Sequence, residues 1–465
     1  ICAAMMENTF VEELDLRGQP ACSDLSVAEA LKGLLIANGS LTELNLAGTG
    51  LGPTGMAVLA SGLALNEALR DISLAGNGCG DAGVEALAGA LSGHSSVTDV
   101  NLSDNNITSL GAVAIAGILR TTDTRIVLTG NRIDDSGASV LAAALKDNRE
   151  VTPAVRLAFN EIGEIGACDL FEALMGRSVN ALDLAHNCIG ENGAWALGEM
   201  LKQPDSDVAA INISGNALGD LGCGYVMDAL QTNPKSVSFI SVAANGITPV
   251  GAAAISSALE HNGTLEHVDL SNNALGDSGA AALAVGLASN GGLTRLTAAA
   301  NNFGPDGMAR IASALAENAT VRRLDVSGND LGDDGVAQLS QHVAPNRALR
   351  EIELNDCAMT AAAAPALTQL LANQGIQNID LGNNIEFGDV GVAALAHGVP
   401  ASTEILYVNL HQSGVSADGK RPLERKPNVV VLEAQTREPR AASSHVKKYR
   451  ALYAYEPDPA STGCI

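Results

Sequence analysis

Apolar residues return along this chain in a fixed figure. Leu265, Val268, Leu270, Asn273, Leu275 and Gly279 spell LxxLxLxxNxLxxxG. The position held by Asn273 recurs at Gln19, Thr49, Asn77, Asn105, Asn131, Asn160, Asn187, Asn216, Asn245, Asn301, Asn329, Cys357, Asn384 and Ser413, with gaps of 26 to 30 residues. So regular a spacing marks an internal repeat of one supersecondary unit. Inside each unit the period changes. The xLxL portion alternates, as a strand with one buried face does. After the glycine, apolar residues recur every four, as in Gly83, Leu87 and Leu91, which is one face of a helix.

Each repeat therefore predicts a strand, a tight turn and a helix. Parallel strands stack about 4.8 Å apart and helices need about 8–10 Å between axes. The expected α/β solenoid is an open horseshoe with parallel strands on its concave face and helices on its convex face. The recurring asparagine is expected to turn inward and satisfy backbone groups of adjoining turns. Acidic residues before the helix glycine, such as Asp81, Asp135, Asp220 and Asp277, are expected to complement the start of that same helix. The pattern sets residues 1–10 as a flank, 11–415 as a solenoid of about 15 repeats and 416–432 as a C-terminal cap with a last strand. Residues 433–465 read as a basic, polar tail.

These motifs resemble the ribonuclease-inhibitor-type leucine-rich-repeat family, which includes GTPase activators of Ran and the repeat domains of cytosolic innate sensors. The resemblance spans roughly residues 11 to 432. It implies a right-handed horseshoe, an intracellular setting and a macromolecular partner. The matching residues are those that build the fold, so they do not choose a member. A second, short resemblance is ALYAYEP (Ala451 to Pro457), similar to the opening strand of an SH3 domain, although Ala454 stands where such openings carry Asp.

Composition adds limits. Hydrophobic residues make up 46% and aromatics 3%, so the core is Leu, Ile, Val and Ala. Net charge is -25, yet residues 420 to 450 carry nine Lys/Arg against three Glu. The remainder is more acidic still, and such a body repels nucleic acid and anionic membranes. No nucleic-acid partner and no membrane insertion are expected. The eight cysteines form no CxxC pair, which reads as reduced, buried thiols and a cytoplasmic location. A cytoskeletal setting is the other compartment considered. Sequon triplets at Asn38, Asn262 and Asn318 read as by-products of the repeat.

Candidate chemistry is sparse. Gly50 to Gly55 and Gly78 to Gly83 spell GxGxxG, but as the strand-to-helix turns of consecutive repeats they do not form a dinucleotide unit. There is no GxxxxGK[ST] and no HExxH. His186 and Cys188 invite a nucleophile reading, with a chance pairing favoured; Cys357 reads as a buried substitute for a ladder asparagine. No enzyme activity, cofactor or metal is expected.

Binding residues are expected on the strand positions that face away from the core. At the third motif position these include Glu13, Glu43, Asp71, Asp99, Phe239, His267, Arg295, Arg323 and Tyr407. The first four form an acidic row that fits a basic protein partner and equally reads as solvated surface. Farther along, Asp269, Asp325 and Glu353 alternate with Arg295, Arg323 and Arg350, so charge there compensates itself. Phe239, His267 and Tyr407 are expected to offer the large side chains. The leading expectation is a protein-interaction scaffold or adaptor. A Ran-type GTPase activator and a structural component of a cytoskeletal or axonemal assembly are the alternatives.

Overall fold

The computed structural model describes residues 2–19, 24–92, 94–148, 155–232, 237–372, 375–399 and 406–432. The basic tail and the SH3-like opening lie outside the described residues. The chain divides into two compact units, residues 1–217 with 235–237, and residues 218–234 with 238–465. The strand–turn–helix unit runs through both.

In the first unit, β1 (Glu13–Asp15), β2 (Glu43–Asn45), β3 (Asp71–Ser73), β4 (Asp99–Asn101), β5 (Arg125–Val127), β6 (Val155–Arg156), β7 (Ser178–Asp183) and β8 (Asp207–Asn212) form a parallel sheet in sequence order. The second unit repeats this with β9 (Phe239–Ser241), β10 (His267–Asp269), β11 (Arg295–Thr297), β12 (Arg323–Asp325), β13 (Glu351–Glu353), β14 (Asn378–Asp380), β15 (Leu406–Asn409) and β16 (Val429–Leu432). The middle residue of each three-residue strand from β2 onward is buried, and its neighbours face the open side of the sheet. The last strand, β16, pairs with β15 in parallel and carries the cap.

Helices follow the strands, and each buries its leucine face, as Leu283 and Leu287 do in Gly276–Ser289. Small residues let neighbouring helices touch through backbone. A Cβ on Gly286 would collide with the Ser256 carbonyl of the preceding helix, Pro249–His261.

Two asparagine ladders satisfy the turns. In the first, Asn105 Oδ1 accepts the amides of Asn77 and Cys79 from the preceding repeat at 3.2 and 3.3 Å, and its Nδ2 donates to Leu74 O at 2.9 Å. Asn131, Asn160, Asn187, Asn216, Asn245, Asn273, Asn301, Asn329 and Asn384 are buried at equivalent places. Cys357 takes one rung as a buried thiol, with Sγ 3.5 Å from Val326 O, and burial pushes it up to about 12.

The second ladder stands at the helix C-termini. Asn66, Asn290, Asn318 and Asn346 each donate through Nδ2 to two carbonyls of the preceding repeat, for example Asn318 to Leu287 O at 2.8 Å and Asn290 O at 2.9 Å. The sequons at Asn38, Asn262 and Asn318 fall on this ladder and are buried.

The acidic residues cap a different helix from the one expected. Asp81 begins Gly80–Leu91, yet its Oδ1 accepts the Thr108 and Gly111 amides of the next repeat at 2.8 and 2.9 Å. Asp135, Asp220 and Asp277 do the same for Gly163 and Gly166, Thr248 and Gly251, and Gly304 and Gly307. Successive layers are offset, so a carboxylate in one first turn reaches the unpaired amides of the next. Each of these acids thus ties two repeats together.

Candidate functional site

Strand pairing in the first unit sets Glu13 opposite Glu43, Glu43 opposite Asp71, Asp71 opposite Asp99 and Asp99 opposite Arg125. All five side chains line a shallow cavity of about 240 Å³ over β1 to β5. Directly opposed like charges on a sheet repel, and the repulsion is visible at Asp71. Its Oδ1 is buried without a hydrogen-bond partner. Burial, then Asp99 and Glu43, push its carboxyl up to about 6, with Arg125 opposing. Burial also works to raise Asp99, but hydrogen bonds from Arg125 and Thr98 outweigh it and hold Asp99 below the usual range. Arg125 Nη2 lies 2.6 Å from Asp99 Oδ2 and Thr98 Oγ1 donates to the same oxygen at 2.9 Å. Arg17, two residues beyond β1, is engaged with Asp15 at 2.7 Å. The row thus ends at Arg125, and Glu13, Glu43 and Asp71 face one another.

The second unit uses the same positions differently. Phe239 does not project to a partner: it is 4% exposed, its ring tilted against His267 with centroids 4.9 Å apart. Strand register gives the direction of Cβ, and the ring folds down onto the His267 side chain of the next strand. His267 is half-buried, with Nε2 3.2 Å from Thr297 Oγ1. Burial, followed by Arg295 and Arg323, holds it well below the usual histidine range, so it is neutral. Arg323 Nε donates to Glu353 Oε1 at 2.9 Å, and its Nη1 lies 3.4 Å from Glu351. Arg295 sits in register between His267 and Arg323, and Tyr407 is half-buried beside Asn378 and Val430. Ser271, just past β10, is buried with its hydroxyl on Asp269 at 2.7 Å.

Elsewhere the His186–Cys188 pairing does not form a nucleophile. His186 stacks on Phe159, and Cys188 is disulfide-bonded. This half-exposed cysteine departs from the expectation of reduced thiols throughout; Cys79, Cys223 and Cys357 are buried and free. Among the described residues no His/Cys/Asp/Glu group could hold a metal ion, and no helix is long and apolar enough to cross a membrane.

The Leucine Rich repeat family model matches residues 37–60, 93–116, 124–142, 177–198, 261–284 and 317–340. No curated protein sequence matches the chain. Among solved structures, a chain from the Rad7 and Elc1 complex in yeast aligns at 15% identity and TM-score 0.45, covering 90% of this chain and 89% of that one. The Leiomodin-1 Actin-Binding Site 2 aligns at 22% identity and TM-score 0.28, covering 32% of this chain and 86% of that one. The chain carries leucine-rich repeats, folded as a parallel α/β solenoid in each unit.

Proposed function

We propose that this chain is a protein-interaction scaffold of the ribonuclease-inhibitor type, holding a basic segment of a protein partner on the acidic row of β1 to β4. The repeat length of about 28 residues with a helix in every repeat supports that subtype. The observation that carries the binding role is Asp71, a carboxyl left opposite two acids over an open cavity. A lysine or arginine laid across the strands would relieve the repulsion from Asp99 and Glu43 that adds to burial in raising its pKa. The chain acts by binding, without chemistry or cofactor of its own. The buried free thiols support a cytoplasmic setting, against which Cys188 stands.

The test is fluorescence anisotropy with a short lysine-rich peptide. Binding should weaken as salt rises, because exposed charges are screened within a Debye length. Glu43→Lys with Asp71→Lys should weaken it by about tenfold or more, or about 1.4 kcal/mol. Asp325→Lys, next to the arginines of the second unit, should change it far less. Unchanged affinity in the double variant would remove the row from the binding surface.

A further inference from the structure

Three arginines of the first unit hold carboxylates: Arg17 pairs with Asp15, Arg125 with Asp99 and Arg132 with Glu161. Arg156, on β6, differs from them. It stands in register with Val127 of β5 on one side and with Asp183 of β7 on the other. Opposite charges side by side on a sheet attract, yet this pair does not bond. The Asp183 carboxyl is buried and committed elsewhere. Its Oδ1 accepts the Ala185 amide at 3.4 Å, and its side-chain hydrogen bond is with Asn212, the residue opposite it on β8. Arg156 acts on it through charge alone.

The Arg156 Nε is buried without a hydrogen-bond partner, while the residue as a whole is half-buried. A buried charged donor left unbonded costs free energy that the fold does not recover. Val127, its register neighbour, lines the cavity over the acidic row, which ends on β5 at Arg125 and Val127. Arg156 therefore stands one strand beyond that cavity, on the same side of the sheet. Past it, the third positions of β7 and β8 are Ala181 and Ala210, which add no bulk.

We propose that Arg156 receives the carboxylate of an Asp or Glu side chain on the same partner segment whose basic residues lie on the acidic row. A guanidinium presents its donors in a planar fork, and Nε with one Nη matches the two oxygens of a carboxylate. A turn of the side chain brings Nε out of its unpartnered place and into such a pair. The chain is acidic, -25 overall, and repels polyanions, whereas a single carboxylate on a basic segment is carried in by its neighbours. Three strand steps separate Asp71 on β3 from Arg156 on β6, about 14 Å at about 4.8 Å each. An extended segment covers that distance in about four residues of about 3.3 Å. The surface thus reads charge order: a basic cluster with an acid about four residues away. This proposal rests on the reading of a basic partner and adds a second, oppositely charged contact.

The test is anisotropy on the full chain with lysine-cluster peptides of equal length that differ at one position, four residues beyond the cluster, carrying Glu, Gln or phosphoserine. The intact protein should bind the Glu peptide about threefold more tightly than the Gln peptide. General attraction to an acidic chain runs the other way, because Gln leaves the peptide more positive. Arg156→Gln should cancel the advantage and, since Nε has no bond to lose, leave the melting temperature unchanged or raised. Arg156→Glu should reverse the order of the two peptides. Where either variant folds poorly, Arg156→Lys, which keeps the charge and loses the fork, should reduce the preference. Equal binding of the Glu and Gln peptides with binding still salt-sensitive would sink this contact and leave the acidic row standing. Failure of every peptide to bind the intact protein would remove the row and this contact together. A Glu preference that survives Arg156→Gln, or tighter binding of the phosphoserine peptide, would also overturn the assignment of a carboxylate to Arg156.

Discussion

The third motif position is acidic and largely uncompensated on β1 to β4, whereas on β9, β10 and β12 it is packed or paired. Glu13, Glu43 and Asp71 oppose one another on β1 to β3, with Arg125 bonded to Asp99 at the end of the row and acting on Asp71 only through its charge. In the second unit Phe239 covers His267, and Arg323 lies between Glu351 and Glu353. The backbone geometry is the same in both. The difference lies in whether each side chain's needs are met by the next strand. Where they are met, the face contributes to stability and has little left for a partner. Where they are not, the face holds electrostatic free energy that a ligand of opposite charge can release.

The comparison is broken most strongly at Phe239. Phe239→Ala should cost about 3 kcal/mol, as for a buried aromatic, while Glu43→Ala at the matching position should be nearly neutral or mildly stabilising. Both are read from denaturant midpoints, and equal midpoints would erase the distinction between the two faces. Arg323→Ala should cost about 2 kcal/mol, because it strands the half-buried Glu353 and leaves Asp325 beside it. Arg70→Ala, an exposed residue of the first unit, should change stability by less than about 0.5 kcal/mol.

The register of every short strand could be read from the spacing of ladder residues such as Asn273, since a period of two leaves one face buried once the turn is placed. The acidic row followed from it. What the pattern could not give was the neighbour each side chain meets. Phe239 has the direction assigned from sequence, but its burial depends on the adjoining strand. Asp81 has the expected position, but the amides it reaches belong to the next layer, whose offset no one-dimensional spacing records. The second ladder did leave a signal: Asn38 and Asn66, and then Asn262, Asn290, Asn318 and Asn346, recur at 28 residues.

The smallest expected effect separates the two faces by pH. Asp71 has its pKa raised from 3.8 to about 6, first by burial and then by Asp99 and Glu43. Below the unfolded value both states hold the proton, and the repulsion is absent. Between 3.8 and about 6 the unfolded chain ionises while the folded one keeps its proton, so this group's contribution to stability falls as pH rises. Above about 6 the folded carboxylate is ionised and the full penalty is present. Asp71→Asn removes the charge at all pH values and retains a donor toward Asp99. The variant should therefore match the parent near pH 4 and exceed it at pH 7.5 by about 0.5 kcal/mol, the scale of a like-charge pair on a sheet, with solvent screening keeping it small. Thermal melts across that range would read the gap. A gap for Asp71→Asn that stays flat with pH would show that the row bears no mutual repulsion, and the reason for a basic partner to prefer the first unit would go with it.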